Sequence, residues 1–157
     1  MANVLWIEDG AQFELAHLAG PVYIDGRFNV HVAANVTDGL QLLYRREYDA
    51  IILDIRLPPG EDKVWDVLYK QAGRHKSTAA LGLKFLKSIL GTSNAEYQLQ
   101  QPVKWLTPKL IGVFTVERSL DLRAALEELG ITVFRQKTAD MPETVLLEMV
   151  QQICGVE

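Results

Sequence analysis

The stretch Ala50-Ile51-Ile52-Leu53-Asp54-Ile55 constrains the fold more than any other part of the chain. It is apolar and largely β-branched until a carboxylate arrives at its C-terminal end. An uninterrupted apolar run of this kind reads as a strand covered on both faces, which is the habit of parallel sheets crossed by helices. Two further runs share the design. Asn3-Val4-Leu5-Trp6-Ile7 closes at Glu8-Asp9-Gly10, and Leu110-Ile111-Gly112-Val113-Phe114 closes at Thr115. Asn29 to Ala33 and Ile131 to Phe134 are shorter strand signals, the second ending near Lys137. Helical spacing fills the gaps. Phe13, Leu15, Ala16 and Leu18 mark a helix over 11–18 that Gly20-Pro21 would end. Thr37 is placed to cap a helix with Leu40, Leu43 and Tyr44 on its apolar side and Arg45, Arg46 and Glu47 in water. Leu83 to Leu90 stops at Gly91, Leu120 to Leu129 stops at Gly130, and Pro142 suits the first turn of a helix striped by Val145, Leu146, Met149, Val150 and Ile153. Five strands alternating with five helices predict an α/β fold, a five-stranded parallel sheet doubly wound by helices.

A chain of 157 residues with 48% hydrophobic and 23% charged residues suits one globular domain and excludes a disordered or repetitive one. The single cysteine, Cys154, excludes an internal disulfide and a cysteine-based zinc site, and predicts a reducing compartment, the cytoplasm. No apolar run reaches the 18 or so residues of a membrane helix. A net charge of -4 argues against duplex DNA as a partner. The charge is unevenly spread. Residues 63–109 carry Lys63, Lys70, Arg74, Lys76, Lys84, Lys87, Lys104 and Lys109 against Asp66 and Glu96, which is +6 against -10 elsewhere. The Arg74-His75-Lys76 run reads as a solvated helix face, and Trp65, Leu68 and Tyr69 as residues that pack on the body of the domain. His17, His31 and His75 lack metal-ligand spacing.

In doubly wound sheets functional groups gather at the carboxyl ends of the strands. Glu8, Asp9, Asp54, Thr115 and Lys137 all fall there. Three carboxylates at one mouth repel one another unless an ammonium group or a hard divalent cation is present. Lys137 supplies the first, and Mg²⁺ would supply the second. A carboxylate so flanked can attack phosphorus, because each neighbour neutralises charge on the transferring phosphoryl group. Asp54 is placed for that role.

Taken together, these pieces resemble the receiver domain of two-component response regulators, a flavodoxin-like fold. The resemblance rests on Leu5-Trp6-Ile7-Glu8-Asp9, Ile51-Ile52-Leu53-Asp54-Ile55-Arg56-Leu57-Pro58, Gly112-Val113-Phe114-Thr115 and Val133-Phe134-Arg135-Gln136-Lys137 in that order, with Asp9 and Asp54 separated by 45 residues and Thr115 and Lys137 by 22. It implies phosphorylation of Asp54 by a histidine kinase or phosphotransfer protein, with Mg²⁺ held by Glu8, Asp9, Asp54 and the backbone carbonyl of Arg56. It also implies Thr115 and Lys137 at the phosphoryl group, and a switch in which Thr115 and Phe134 relay the change to the fourth helix, fifth strand and fifth helix, a face through which such proteins also dimerise. Output by protein contacts is expected, in a bacterial, cytoplasmic phosphoprotein that is not a metabolic enzyme.

Three departures from the family pattern stand out. Asp54 to Thr115 spans 61 residues, about a helix and a loop more than usual, which marks 60–81 and 91–109 as extensions within a single domain of residues 1–157. Val116 stands where a small residue normally leaves a path to the phosphoryl group. Thr138 stands where a proline normally follows the lysine, and a cis bond to a non-proline costs about 3 kcal/mol, so that loop is expected to be built differently. A lone Asp at a strand end could simply cap a helix; four matched positions favour the phosphoacceptor. The alternative from another class is a phosphorylation-independent interaction module that uses the basic 63–109 segment. A haloacid dehalogenase-type phosphatase would want a second carboxylate where Arg56 stands, and a flavin binder would want a phosphate loop where Glu8-Asp9-Gly10 would repel it.

Overall fold

The computed structural model describes residues 1–157, with the side chain of Ser77 excepted. Five strands, β1 (Ala2–Ile7), β2 (Phe28–Ala33), β3 (Ala50–Leu53), β4 (Ile111–Thr115) and β5 (Val133–Gln136), form one parallel sheet in the order β2-β1-β3-β4-β5. The helices are α1 (Gly20–Asp25), α2 (Val36–Arg45), α3 (Lys63–Gln71), α4 (Lys76–Ala79), α5 (Leu81–Ile89), α6 (Leu120–Glu128) and α7 (Val145–Cys154). Every residue of β3 and β4 is buried, as the apolar runs require. Successive side chains on a strand point to opposite faces, so the sheet separates two cores. Leu5, Ile7, Ile51, Leu53, Ile111 and Val113 pack with α2, α3, α5 and α6, whereas Val4, Trp6, Ala50, Ile52 and Phe114 pack with α1 and α7. None of the helices described is long and apolar enough to cross a membrane.

Three local expectations are corrected. The helix expected over 11–18 is a series of turns followed by a 3-10 turn at Ala16–Ala19, and the α-helix starts at Gly20 with Pro21 in its first turn. Proline lacks only a hydrogen-bond donor that the first turn leaves unpaired anyway. Gly20-Pro21 therefore opens a helix here, while Phe13 stays 74% exposed. The cap of α2 is Asn35, whose side chain accepts from the Asp38 amide at 2.8 Å. Thr37 instead lies inside the helix and donates to the Pro59 carbonyl at 2.6 Å, fastening the chain that leaves β3. Pro142 lies before α7, and its carbonyl accepts from Val145 at 3.1 Å. The peptide bonds described are all trans, that between Lys137 and Thr138 included.

The long β3-β4 connection is built into the core. Asp62 caps α3 by accepting from Val64 at 2.8 Å. Trp65 is fully buried, edge-on to Phe85 at 5.7 Å and Tyr97 at 5.5 Å, with Leu68 and Tyr69 packed beside it. Residues 92–101, read as a polar loop, contribute Tyr97 and Leu99 to the same cluster and are held by Ser88 Oγ donating to the Tyr97 carbonyl at 2.6 Å. The start of α5 presses on the end of β3. Gly82 donates its amide to the Ile55 carbonyl at 2.9 Å, and a Cβ at Gly82 would stand 2.1 Å from the Asp54 carbonyl oxygen. Alanine favours helices, so its cost here is purely one of space. Gly82→Ala should lower stability by about 1–3 kcal/mol in urea denaturation. An unchanged midpoint would show that α5 does not abut the Asp54 backbone.

Candidate functional site

The site forms where four strand ends lie side by side. The Glu8 amide continues the β1-β2 ladder by donating to the Ala33 carbonyl at 2.8 Å, and the Asp54 amide donates to the Ile7 carbonyl at 3.2 Å. Backbone pairing thus sets the two side chains at neighbouring strand ends, 2% and 5% exposed. The Lys137 amide donates to the Thr115 carbonyl at 2.8 Å, extending the β4-β5 pairing. That bond brings the lysine back toward β3. Its ammonium donates to Asp54 Oδ2 at 2.8 Å and to Glu8 Oε1, and lies 5.4 Å from the centre of the Phe114 ring.

The other oxygens of Glu8 and Asp54 are also engaged, as is one oxygen of Asp9. Glu8 Oε2 accepts from the Gly10 amide at 3.0 Å, and Asp54 Oδ1 from the Arg56 amide at 3.2 Å. Asp9 Oδ2 accepts from Lys76 Nζ at 2.6 Å. Oxygens of Glu8, Asp9 and Asp54 lie within 4.8 Å of one another. Each carboxylate oxygen has two lone pairs, so one hydrogen bond leaves room for another contact. An all-oxygen, anionic donor set of this size fits a hard divalent cation such as Mg²⁺. These groups line a cleft of about 470 Å³ together with Arg56, Val116, Thr138, Glu14 and His75.

Burial shifts the charges. Glu8 is pushed from its ordinary 4.5 to about 7, chiefly by desolvation, against the attraction of Lys137 and with the help of Asp9 and Asp54. Asp9, although burial works upward on it too, is held below its ordinary value by hydrogen bonding with Glu8 and Lys76. On Lys137 burial works downward, but Asp54 and Glu8 outweigh it and hold the ammonium above the ordinary lysine value.

Of the residues singled out in the sequence, Glu8, Asp9, Asp54, Arg56 and Lys137 come together at the cleft. Thr115 does not line it. It is fully buried, and its hydroxyl accepts from the Glu117 amide at 3.3 Å, while Val116 forms the wall. Phe134 lies away on the far side of β4, half-buried under the Arg123 guanidinium at 5.2 Å. Two groups were missed. The Arg56 side chain pairs with Glu117 at 2.7 Å, tying the loops after β3 and β4 together. Lys76, read as part of a solvated face, reaches the cleft, and the basic excess of 63–109 was its only trace in the sequence.

No family model matches the chain, and no curated protein matches it. Solved structures do. The receiver domain of HemR from Leptospira biflexa, in its non-phosphorylated form, aligns over 100% of this chain and 97% of its own with a TM-score of 0.65 at 18% identity. The fold is that of response regulator receivers. A CheY-like receiver domain protein from Methanospirillum hungatei (TM-score 0.63, 15% identity, 99% of this chain and 94% of that one) is similar in the same way. So is the chemotaxis regulator CheY4 of Vibrio cholerae (0.60, 19% identity, 98% of each chain). In this receiver fold the acidic cleft lies at the carboxyl ends of β1 and β3, where a doubly wound sheet changes direction.

The pH response of the cation-free protein follows from Glu8. A carboxyl whose folded-state pKa is raised contributes stability below about 4.5 that is lost as pH rises through about 7. Glu8→Gln removes this dependence. The variant should gain on the wild type between those pH values, by at most about 1.4 kcal/mol per pH unit, in thermal denaturation with chelator present. A constant difference across that range would show that Glu8 is ionised throughout.

Proposed function

We propose that the chain is a stand-alone response regulator receiver that accepts a phosphoryl group on Asp54 from a histidine kinase or phosphotransfer protein, and signals through protein contacts. The observation that carries this reading is Asp54 itself: a buried carboxylate at the end of the central strand, held by the Lys137 ammonium and flanked by two more carboxylates in an open cleft. A structural cap would need neither the lysine nor the second and third acid.

In the transfer step an oxygen of Asp54 attacks phosphorus, the new P–O bond forms as the donor's P–N bond breaks, and the donor histidine leaves as imidazole. Hydrolysis later returns the carboxylate and inorganic phosphate. Mg²⁺ held by Glu8, Asp9, Asp54 and the backbone carbonyl of Arg56 would neutralise charge on the phosphoryl oxygens. Lys137 follows the charge on Asp54 as it passes to the phosphoryl group. The Thr115 hydroxyl, which accepts from the Glu117 amide, still has its own proton to donate to the same group, and a turn of that side chain would be felt in the loop that Arg56 also holds. The change would pass through Phe134 to the face of α6, β5 and α7, which also serves for a homodimer. Residues 60–81 and 91–109 are extensions of a single domain spanning 1–157, and the chemistry is limited to the domain's own phosphoryl transfer and hydrolysis, in the cytoplasm.

One observation favours a second reading. Glu8, Asp9 and Asp54 each already have an ammonium partner, Lys137 for Glu8 and Asp54 and Lys76 for Asp9, so these three acids are paired at rest. A phosphorylation-independent module would then present the basic 63–109 segment to an acidic partner. Against it, three of the eight basic side chains there are spent internally, Lys70 on Asp66, Lys76 on Asp9 and Lys84 on the Ala79 carbonyl.

Intact-mass spectrometry after incubation with acetyl phosphate decides between the two. The wild type should gain one phosphoryl adduct that requires Mg²⁺ and is lost in Asp54→Ala. A folded wild type with no adduct would leave the interaction module standing.

A further inference from the structure

Three cations line the cleft, and they are not equivalent. Arg56 is committed to Glu117, outside the acidic cluster, and Lys137 bridges Glu8 and Asp54. Lys76 alone is paired with Asp9. It comes from the β3-β4 extension, 67 residues away from Asp9, and its position is built rather than loose. Gly73 and Arg74 take left-handed backbone, with φ of 95° and 60°, turning the chain back after α3. The Thr78 hydroxyl bonds the carbonyls of Ala72 and His75 at 3.0 and 3.1 Å, and Lys84 holds the Ala79 carbonyl at 2.9 Å. The single turn of α4 is thereby fixed over the cleft.

The placement has a chemical consequence. A divalent cation on Asp9 weakens its hold on the Lys76 ammonium, since the two draw on the same charge. A lysine released from Asp9 stays at the rim of the same cleft, where the anions open to it are Glu8, Glu14 and whatever Asp54 carries, the phosphoryl group being the most highly charged of them. The field of Asp54 already reaches it, for Asp9, Asp54 and Glu8 together hold the ammonium above the ordinary lysine value.

Resting on the phosphoacceptor reading of Asp54, we propose that Lys76 is a second phosphoryl-contacting lysine of this site, held by Asp9 at rest and transferred to the phosphoryl oxygens once Asp9 engages the divalent cation. The β3-β4 extension then senses the state of the cleft directly, because the lysine that changes partner is carried on α4.

The roles have opposite signs, which makes them separable. In Lys76→Gln the competitor for Asp9 is gone, so Mg²⁺ without phosphodonor should bind about 2–5-fold tighter in calorimetry. The same variant should label with acetyl phosphate about tenfold more slowly at saturating Mg²⁺, for want of the second cation. Lys76→Arg should restore most of the labelling rate. Lys70→Gln, which removes a lysine paired with Asp66 and away from the cleft, should change neither. Unchanged Mg²⁺ affinity and labelling in Lys76→Gln, with a wild type that labels, would overturn the role of Lys76 and leave the phosphoacceptor intact. Faster labelling in step with tighter Mg²⁺ binding would also overturn it, making Lys76 an inhibitory counter-charge. A wild type that does not label overturns both readings.

Discussion

One ammonium group holds the acidic end of this sheet together. Glu8 and Asp54 are nearly inaccessible to water and lie on adjacent strands, where two bare carboxylates could not both stay ionised. Lys137 reaches both. It can do so only because its amide is hydrogen-bonded to Thr115, which carries the chain past β4 and aims the side chain at the end of β3. The strand order, the burial of the two acids and the lysine are one arrangement. Exchanging the lysine for a neutral residue would leave two buried acids without a cation, a costly state unless they take up a proton or a metal.

The long β3-β4 connection is joined to this site through the core. Trp65, Tyr97 and their neighbours enlarge the core on the α2-α5 side, so this connection is ordered by burial. Gly82 then lets α5 approach the Asp54 carbonyl directly, which couples the position of the connection to the strand that carries the central carboxylate. With those two contacts in place, α4 is left over the cleft, and Lys76 meets Asp9. The basic excess of this segment is thus partly a requirement of the acidic mouth beside it, and less a free surface for a distant partner.

Much of the fold was legible along the chain. Apolar runs such as Ala50 to Leu53 can hardly be anything except covered strands, and their polar closures at Glu8, Asp54 and Thr115 mark where chemistry can sit. Boundaries that depend on proline and caps were read less well. Gly20-Pro21 reads as an end or a loop and is a beginning, because proline is compatible with a first turn and hostile only to an interior. Thr37 reads as a cap, yet Asn35 caps the helix, and the threonine donates to the Pro59 carbonyl, 22 residues on. Residues 92–101 look polar in one dimension, and only the presence of Trp65 opposite makes Tyr97 a core residue.

The parallel sheet, the helices between its strands, and the set of acids, hydroxyl and lysine at one end of it can be read along the chain. These follow from local pattern, in which hydrophobic periodicity selects the element and a polar residue ends it. Which charges pair is settled only in three dimensions. That Asp9 meets Lys76 and not Lys137, that Arg56 turns to Glu117, and that Thr115 is buried behind Val116 depend on distances across strands and loops far apart in the chain. Coulomb and hydrogen-bond energies fall steeply over a few ångströms, and spacing along a chain does not contain those distances.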